Sequence, residues 1–265
     1  MKLDGCSAVV TGASAGIGHE LARQLAPRVK LLVLVARRRD RLEQLRSELV
    51  ALNSALQVNV RAVDLSQINE TTELAAELAE QPIDFLINNA GLGDHGPFAT
   101  ADPVRVHEQI QVNILALTML TRAVLPRMIV QKRGAILNVS SSAGFLPLPD
   151  LAVYAATKAY VTSFSEALRA ETRGIGISVT SLCPGPVATE FSQVADRVQP
   201  RRNARTSLAH VSVEEVARAG LLAIETDEAL VIPGTAMKMT MTIVRMLPLS
   251  LLRIAWRFSR SIRAK

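Results

Sequence analysis

Ser7-Ala8-Val9-Val10-Thr11-Gly12-Ala13-Ser14-Ala15-Gly16-Ile17-Gly18 is the stretch from which the architecture follows. Its first five residues read as a buried strand, and the glycines after them make a turn that opens at once on a helix-like segment, His19 to Leu25. Glycine permits a tight turn, close approach of backbone to a pyrophosphate and close helix–strand packing. The helix start then offers unpaired N–H groups and the positive end of a dipole to phosphate. The spacing is G-x-x-x-G-x-G, so the generic G-x-G-x-x-G fingerprint is not matched, and such a turn on its own can be only a turn.

Working outward, further short apolar runs recur at Leu31–Ala36, Val58–Val63, Ile83–Asn88, Ala135–Val139, Ile177–Leu182 and Ala229–Ile232. Apolar residues at successive positions suit strands buried on both faces of a parallel sheet. Between them lie helical segments. Arg41–Leu52 has Leu42, Leu45, Leu49 and Leu52 at helical spacing, and Thr71–Glu80 and Val104–Val130 read the same way. The rhythm predicts an α/β fold: a doubly wound, seven-stranded parallel sheet with helices on both faces, as one domain over residues 1–233, followed by a helical extension over 234–265. In such sheets ligands sit beyond the carboxyl ends of the strands, where strand order reverses.

Composition narrows the function. Aromatics make up 3% of the 265 residues, which argues against stacking platforms for single-stranded nucleic acid. Cys6 and Cys183 have no metal-type or redox-type spacing and read as small buried apolar residues; no metal is expected. Of the 30 basic residues seven follow Glu228, the last acidic one, leaving 23 basic against 24 acidic residues before it. The excess charge therefore belongs to the tail, and no nucleic-acid partner is expected. With neither a secretory signal nor an uncharged apolar segment of about 18 residues, the expected location is cytoplasmic.

Two further constellations carry chemistry. After the second strand come Arg37 and Arg38, where a reader of the ribose 2′-hydroxyl places an acidic residue; guanidinium groups match a 2′-phosphate, which favours NADP(H), although a solvated charged turn reads the same way. Tyr154 and Lys158 stand i, i+4 on a helix, so phenol and ammonium share a face, with Ser141 thirteen residues upstream of the tyrosine. A free tyrosine titrates near about 10. A neighbouring cation favours the phenolate and brings the proton into useful range.

With these motifs in this order, the chain resembles the short-chain dehydrogenase/reductase family from about residue 3 to residue 233. Thr11–Gly18 is similar to the family's cofactor-binding turn, which implies cofactor contacts from Gly12, Ser14, Gly16, Ile17 and Gly18. Asp64-Leu65 matches its acid-plus-apolar pair at the adenine ring. Asn88-Asn89-Ala90-Gly91 matches its N-N-A-G segment, with Asn89, Ala90 and Gly91 at the cofactor. Pro184-Gly185-Pro186-Val187-Ala188-Thr189 resembles the segment that holds the nicotinamide carboxamide, implicating Pro184, Gly185, Val187 and Thr189.

The resemblance implies an enzyme that moves a hydride between nicotinamide and a carbonyl or alcohol. Ser141 would hold the substrate carbonyl and Tyr154 would donate the proton. Lys158 would lower the tyrosine pKa and bind the nicotinamide ribose, and Asn113 would hold a water linking Lys158 to solvent. It also implies a homodimer or homotetramer, an assembly that the extension past the seventh strand puts in question. The alternative is an idle NADP(H)-binding sensor or scaffold, against which the intact Ser141–Tyr154–Lys158 set argues.

Two regions vary independently of these motifs. Arg197, Arg201, Arg202 and Arg205, offset by Asp196 and Glu190, read either as recognition of an acidic substrate or as a solvated loop. His95 either lines the same pocket or faces solvent. In the tail, Arg253, Arg257 and Arg260 share a helical face amid Leu251, Leu252, Ile254, Ala255, Trp256 and Phe258, and Pro248 is expected to divide the segment into two helices. Such a basic amphipathic tail suits peripheral contact with a membrane; packing over the substrate pocket or on another subunit is the alternative. A hydrophobic or lipid-like substrate would follow from the first reading.

Overall fold

Strand residues here alternate between two buried faces, and that alternation builds the molecule. Ala8 and Val10 of the first strand, with Leu32 and Leu34 of the second, join one core; Val9, Val33 and Val35 join the other. The computed structural model describes residues 2–195 and 211–248 together with 250 and 253, side chains of 192 and 193 excepted. The strands are β1 (Ser7–Thr11), β2 (Leu31–Ala36), β3 (Gln57–Ala62), β4 (Phe85–Asn88), β5 (Gly134–Val139), β6 (Ile177–Leu182) and β7 (Leu230–Val231). All pair in parallel in the order β3-β2-β1-β4-β5-β6-β7, so strand order reverses between β1 and β4.

The helices are α1 (Gly16–Leu25), α2 (Arg39–Leu52), α3 (Ile68–Glu80), α4 (Pro103–Ile110), α5 (Leu117–Gln131), α6 (Ala152–Glu171), α7 (Glu190–Ala195), α8 (Val213–Glu225) and α9 (Thr235–Met246). Leu21 and Leu25 of α1, Leu42, Leu45 and Leu49 of α2, and Val216 and Ile224 of α8 cover one face of the sheet. Leu74 and Leu78 of α3, Leu120, Val124 and Met128 of α5, and Leu168 of α6 cover the other. Cys6 and Cys183 are free thiols within this packing, as their sequence context predicted.

Four expectations are corrected in detail. β3 runs Gln57–Ala62, not Val58–Val63, and it is an edge strand: its residues are exposed or half-buried, in keeping with alternating QVNVRA rather than a continuous apolar run. β4 begins at Phe85 rather than Ile83, because the Asp84 carboxylate turns to accept the Ser7 N–H at 2.9 Å. α2 begins at Arg39, which puts Arg41 in its first turn. The segment expected as one helix over Val104–Val130 spans Pro103–Gln131 and contains a π-helical turn, Gln111–Ala116.

That long helix is apolar enough by length and composition to cross a membrane, but nearly half of its apolar stretch is buried, and it packs on α3 and β5 as a core helix. In the tail, α9 stops at Met246 and Pro248 is not helical, so the proline ends the first helix as expected. The arginines at 197, 201, 202 and 205, and Leu251, Leu252, Ile254, Ala255, Trp256, Arg257, Phe258 and Arg260, lie outside the described residues.

Candidate active site

The turn after β1 is shaped by what its glycines leave room for. Gly12 has φ +67 and Gly16 φ +56, left-handed backbone that favours glycine. A Cβ on Gly12 would stand 2.8 Å from Asn89 Nδ2, and one on Gly18 would collide with that same amide and with the Gly12 carbonyl. Asn89 therefore fills the hollow of the turn, donating to the Thr11 and Gly12 carbonyls at 2.9 and 3.3 Å. The Thr11 hydroxyl in turn accepts from the N–H groups of Asn89 and Ala90, both at 3.0 Å. These bonds tie the ends of β1 and β4 together at the place where strand order reverses.

The first turn of α1 has no side-chain cap and no acidic residue, so its N–H groups and dipole point unneutralised into the crevice. A dinucleotide pyrophosphate fits this cradle. Beside it, Arg38 reaches Ser14 Oγ at 3.2 Å through Nη2 and Glu190 at 2.9 Å through Nη1. Arg37 lies 3.9 Å from Asp64, whose carboxylate also accepts from the Ser66 N–H and hydroxyl. Thr189 closes the opposite wall, its methyl 3.2 Å from where a Gly16 Cβ would be. The residues present fit an adenine dinucleotide, and the Arg38–Ser14 pair fits a phosphate on its ribose.

The second half of the site lies past β5. Ser141 is buried at the start of a 3-10 turn, Ser142–Phe145, and its Oγ accepts from the Ala143 N–H at 3.1 Å. That turn presses on α6 at Gly144, where a Cβ would stand 2.8 Å from the Lys158 carbonyl. The Ser141 hydroxyl interacts with the Tyr154 phenol in a way that favours the phenolate. Lys158 is 4% exposed; its Nζ donates to the Val139 carbonyl at 2.8 Å and lies 5.8 Å from the Tyr154 ring centre.

Burial dominates the electrostatics here. It pushes the Tyr154 phenol above its ordinary value, with the Ser141 bond opposing, and it pulls Lys158 down to about 8. The expected lowering of the tyrosine by the lysine is not what this geometry gives. The buried ammonium is engaged by Val139, and at the half-buried phenol desolvation outweighs its attraction for a phenolate.

Asn113 lies in the π-helical turn and is 1% exposed. Its Oδ1 accepts from the Leu92 N–H at 2.8 Å, and its Nδ2 donates to the Leu92 carbonyl and to Thr157 Oγ1, each at 2.9 Å. Both amide hydrogens are thus spent on protein, and the residue clamps the loop after β4 to α6. A water held by Asn113 would have to use an acceptor, Oδ1 or the backbone carbonyl. Gly91 completes the join, its Cβ position lying 3.4 Å from both Asn113 Oδ1 and Lys158 Nζ.

Sequence reasoning missed several contributors. Asn88 and Asn138 face each other across β4 and β5; Asn88 Nδ2 donates to Asn138 Oδ1 and Thr121 Oγ1, and Asn138 Nδ2 to Ser165 Oγ, all at 2.9 Å. This buried ladder holds β4, β5, α5 and α6 in register beneath the site. Asparagine inside otherwise apolar strands was the signal. Phe191 of α7 lies over Tyr154, ring centres 5.4 Å apart, and Arg41 joins Arg38 on Glu190. His95 is half-buried rather than facing solvent, with its N–H bonded to the Ala195 carbonyl at the end of α7. An open groove of about 1020 Å³ between α3 and α5 includes none of the predicted site residues in its lining.

The chain is similar in sequence and fold to known dehydrogenases and reductases. The short chain dehydrogenase family model matches residues 7–199. A very-long-chain 3-oxoacyl-CoA reductase from Bos taurus is 34% identical over 215 residues, 78% of this chain and 69% of the relative. Among solved structures, a short-chain dehydrogenase from Sphingobium yanoikuyae in complex with NADPH superposes with a TM-score of 0.79 at 29% identity, covering 98% of this chain and 96% of that one. A bulky-bulky ketone specific alcohol dehydrogenase from Comamonas testosteroni follows with a TM-score of 0.76 at 27% identity, covering 98% and 94%.

Proposed function

The chain belongs to the short-chain dehydrogenase/reductase family, oxidoreductases that interconvert CH–OH and C=O with a nicotinamide dinucleotide, and from that premise we propose that it is an NADPH-dependent reductase of a carbonyl on a bulky, lipid-like substrate. The observation that carries this reading is the convergence of Ser141, Tyr154 and Lys158 on one side of the glycine cradle, at the carboxyl ends of β1, β4 and β5. NADPH is favoured by Arg38 beside Ser14, with Arg37 and Arg41 close by, and by the NADPH complex of the similar Sphingobium protein.

The bound cofactor supplies the hydride. Ser141 orients the substrate carbonyl oxygen. Tyr154 gives that oxygen its proton; a phenol whose pKa is pushed up by burial holds the proton at neutral pH, which is the state a general acid needs. Lys158, pulled down to about 8, exchanges protons near neutrality and can recharge the site. Lys158 is buried and Tyr154 half-buried, and the partial exclusion of water strengthens these interactions.

The lipid-like substrate is supported by the named activity of the bovine relative and by α9. Met239, Ile243 and Met246 form an exposed apolar stripe on that helix, extended by Leu247 just past its end, beside Lys238 and Arg245. This face suits peripheral contact with an anionic membrane by a cytoplasmic enzyme. Exposed Tyr160, stacked on half-buried Phe164 of α6, suits assembly into a homodimer or homotetramer, for which sedimentation is the check.

The test is NADPH oxidation across aldehydes and ketones graded in chain length and charge, with Tyr154→Phe alongside. Turnover that rises with chain length and disappears in the variant, NADPH binding being retained, supports the reading. Tight NADPH binding with no turnover on any carbonyl would replace it with the sensor reading.

A further inference from the structure

Glu190 opens α7 and spends its whole carboxylate on two guanidiniums: Oε2 accepts from Arg38 Nη1 at 2.9 Å, and Oε1 from Arg41 Nη1 at 2.5 Å. Arg38 at the same time grips Ser14 of the phosphate turn. A carboxylate held between two arginines, beside a hydroxyl, has the charge and the bidentate geometry of a bound phosphate. The contact is long-range in sequence, joining the end of β2 to the segment after β6. The neighbours of Glu190 tie the same short helix to the rest of the site. Thr189 packs on Gly16, and Phe191 lies against the Tyr154 ring and fills the space above Gly93.

We propose that Glu190 is an internal competitor for the ribose 2′-phosphate, occupying Arg38 and Arg41 until the cofactor's phosphate displaces it. Glu190 is then a specificity-determining residue: it weakens binding of the phosphorylated cofactor, and its release frees the helix that carries Phe191 over the catalytic tyrosine. The proposal rests on the NADPH reading above. NADH has no 2′-phosphate and cannot compete for the arginines, so its affinity is independent of Glu190.

Both ion pairs are partly exposed, with side chains 41–44% accessible, so each is modest and salt-sensitive. Removing the carboxylate is expected to tighten NADPH by about fivefold at low salt. The test is titration of NADPH, NADH and adenosine 2′,5′-bisphosphate into wild type, Glu190→Gln, Arg38→Ala and the double variant, by calorimetry and cofactor fluorescence. The expected result is tighter NADPH and bisphosphate in Glu190→Gln, NADH unchanged, and the gain abolished in the double variant. If Arg38→Ala selectively weakens NADPH but Glu190→Gln changes neither cofactor, or both equally, the competitor role is overturned and the NADPH reading stands. If wild type binds NADH as tightly as NADPH and Arg38→Ala alters neither, the NADPH reading itself falls, and the competitor role with it.

Discussion

Replacing Lys158 by Met should make the protein more stable at neutral pH, although it removes a residue of the active site. The ammonium is 4% exposed and burial pulls its pKa from 10.5 to about 8. Between those two values the unfolded chain binds more protons than the folded one, so stability rises with pH through that window, and the full penalty applies below it. The 2.5-unit gap corresponds to about 3 kcal/mol at pH 7. Losing the 2.8 Å bond to the Val139 carbonyl returns about 1 kcal/mol of that. Lys158→Met is therefore expected to gain about 2 kcal/mol at pH 7, and wild type to recover about 2 kcal/mol relative to the variant between pH 7 and 9.5. Urea denaturation followed by circular dichroism at several pH values measures both. A difference that stays flat across that range, or a variant less stable at pH 7, would refute the assignment of burial as the dominant influence on this lysine.

The cradle and the clamp make equally direct predictions. Gly18→Ala drives a methyl into Asn89 and the Gly12 carbonyl and should cost about 1–3 kcal/mol, together with at least tenfold in NADPH affinity, read by thermal melting and fluorescence titration. Asn113→Leu strands the part-buried amide and carbonyl of Leu92 and should lower stability by about 2 kcal/mol; a loss below roughly 0.5 kcal/mol, that of a surface change, would mean that these groups find other partners. On α9, Ile243→Glu with Met246→Glu should abolish co-sedimentation with anionic vesicles while leaving turnover of a short soluble ketone intact. Wild-type protein that stays in the supernatant at low salt would remove the membrane reading.

What could be read in advance were the features written into local residue choice. The five apolar residues of β1, the glycines after them and the i, i+4 spacing of Tyr154 and Lys158 each act within a few positions of one another, so the sequence displays them directly. Seven parallel strands followed from the same local runs; the edge strand β3 reads like a buried one, because alternation and continuity look alike over six residues, and the apolar run starts β4 two residues early. The unforeseen parts are long-range. Glu190 was visible only as one acid among arginines, since its partners stand about 150 positions away on another element. Arg41 was hidden by a helix start placed two residues late. The direction of the Tyr154 shift depends on how dry the pocket is, and spacing along a chain carries no measure of that.

The π-helical turn at Gln111–Ala116 has a consequence for how such an enzyme can be altered. It marks a surplus residue carried inside an otherwise regular core helix. Each residue of an α-helix turns the next by about 100°, so excising one position there would restore regularity and swing everything on one side around the axis. Either Asn113 would leave Leu92 and Thr157, or Leu120, Val124 and Met128 would leave the sheet. Substitution along this helix is therefore expected to be tolerated better than a change of its length. A single-codon deletion between 111 and 116 should prove more damaging than any point change within the same turn.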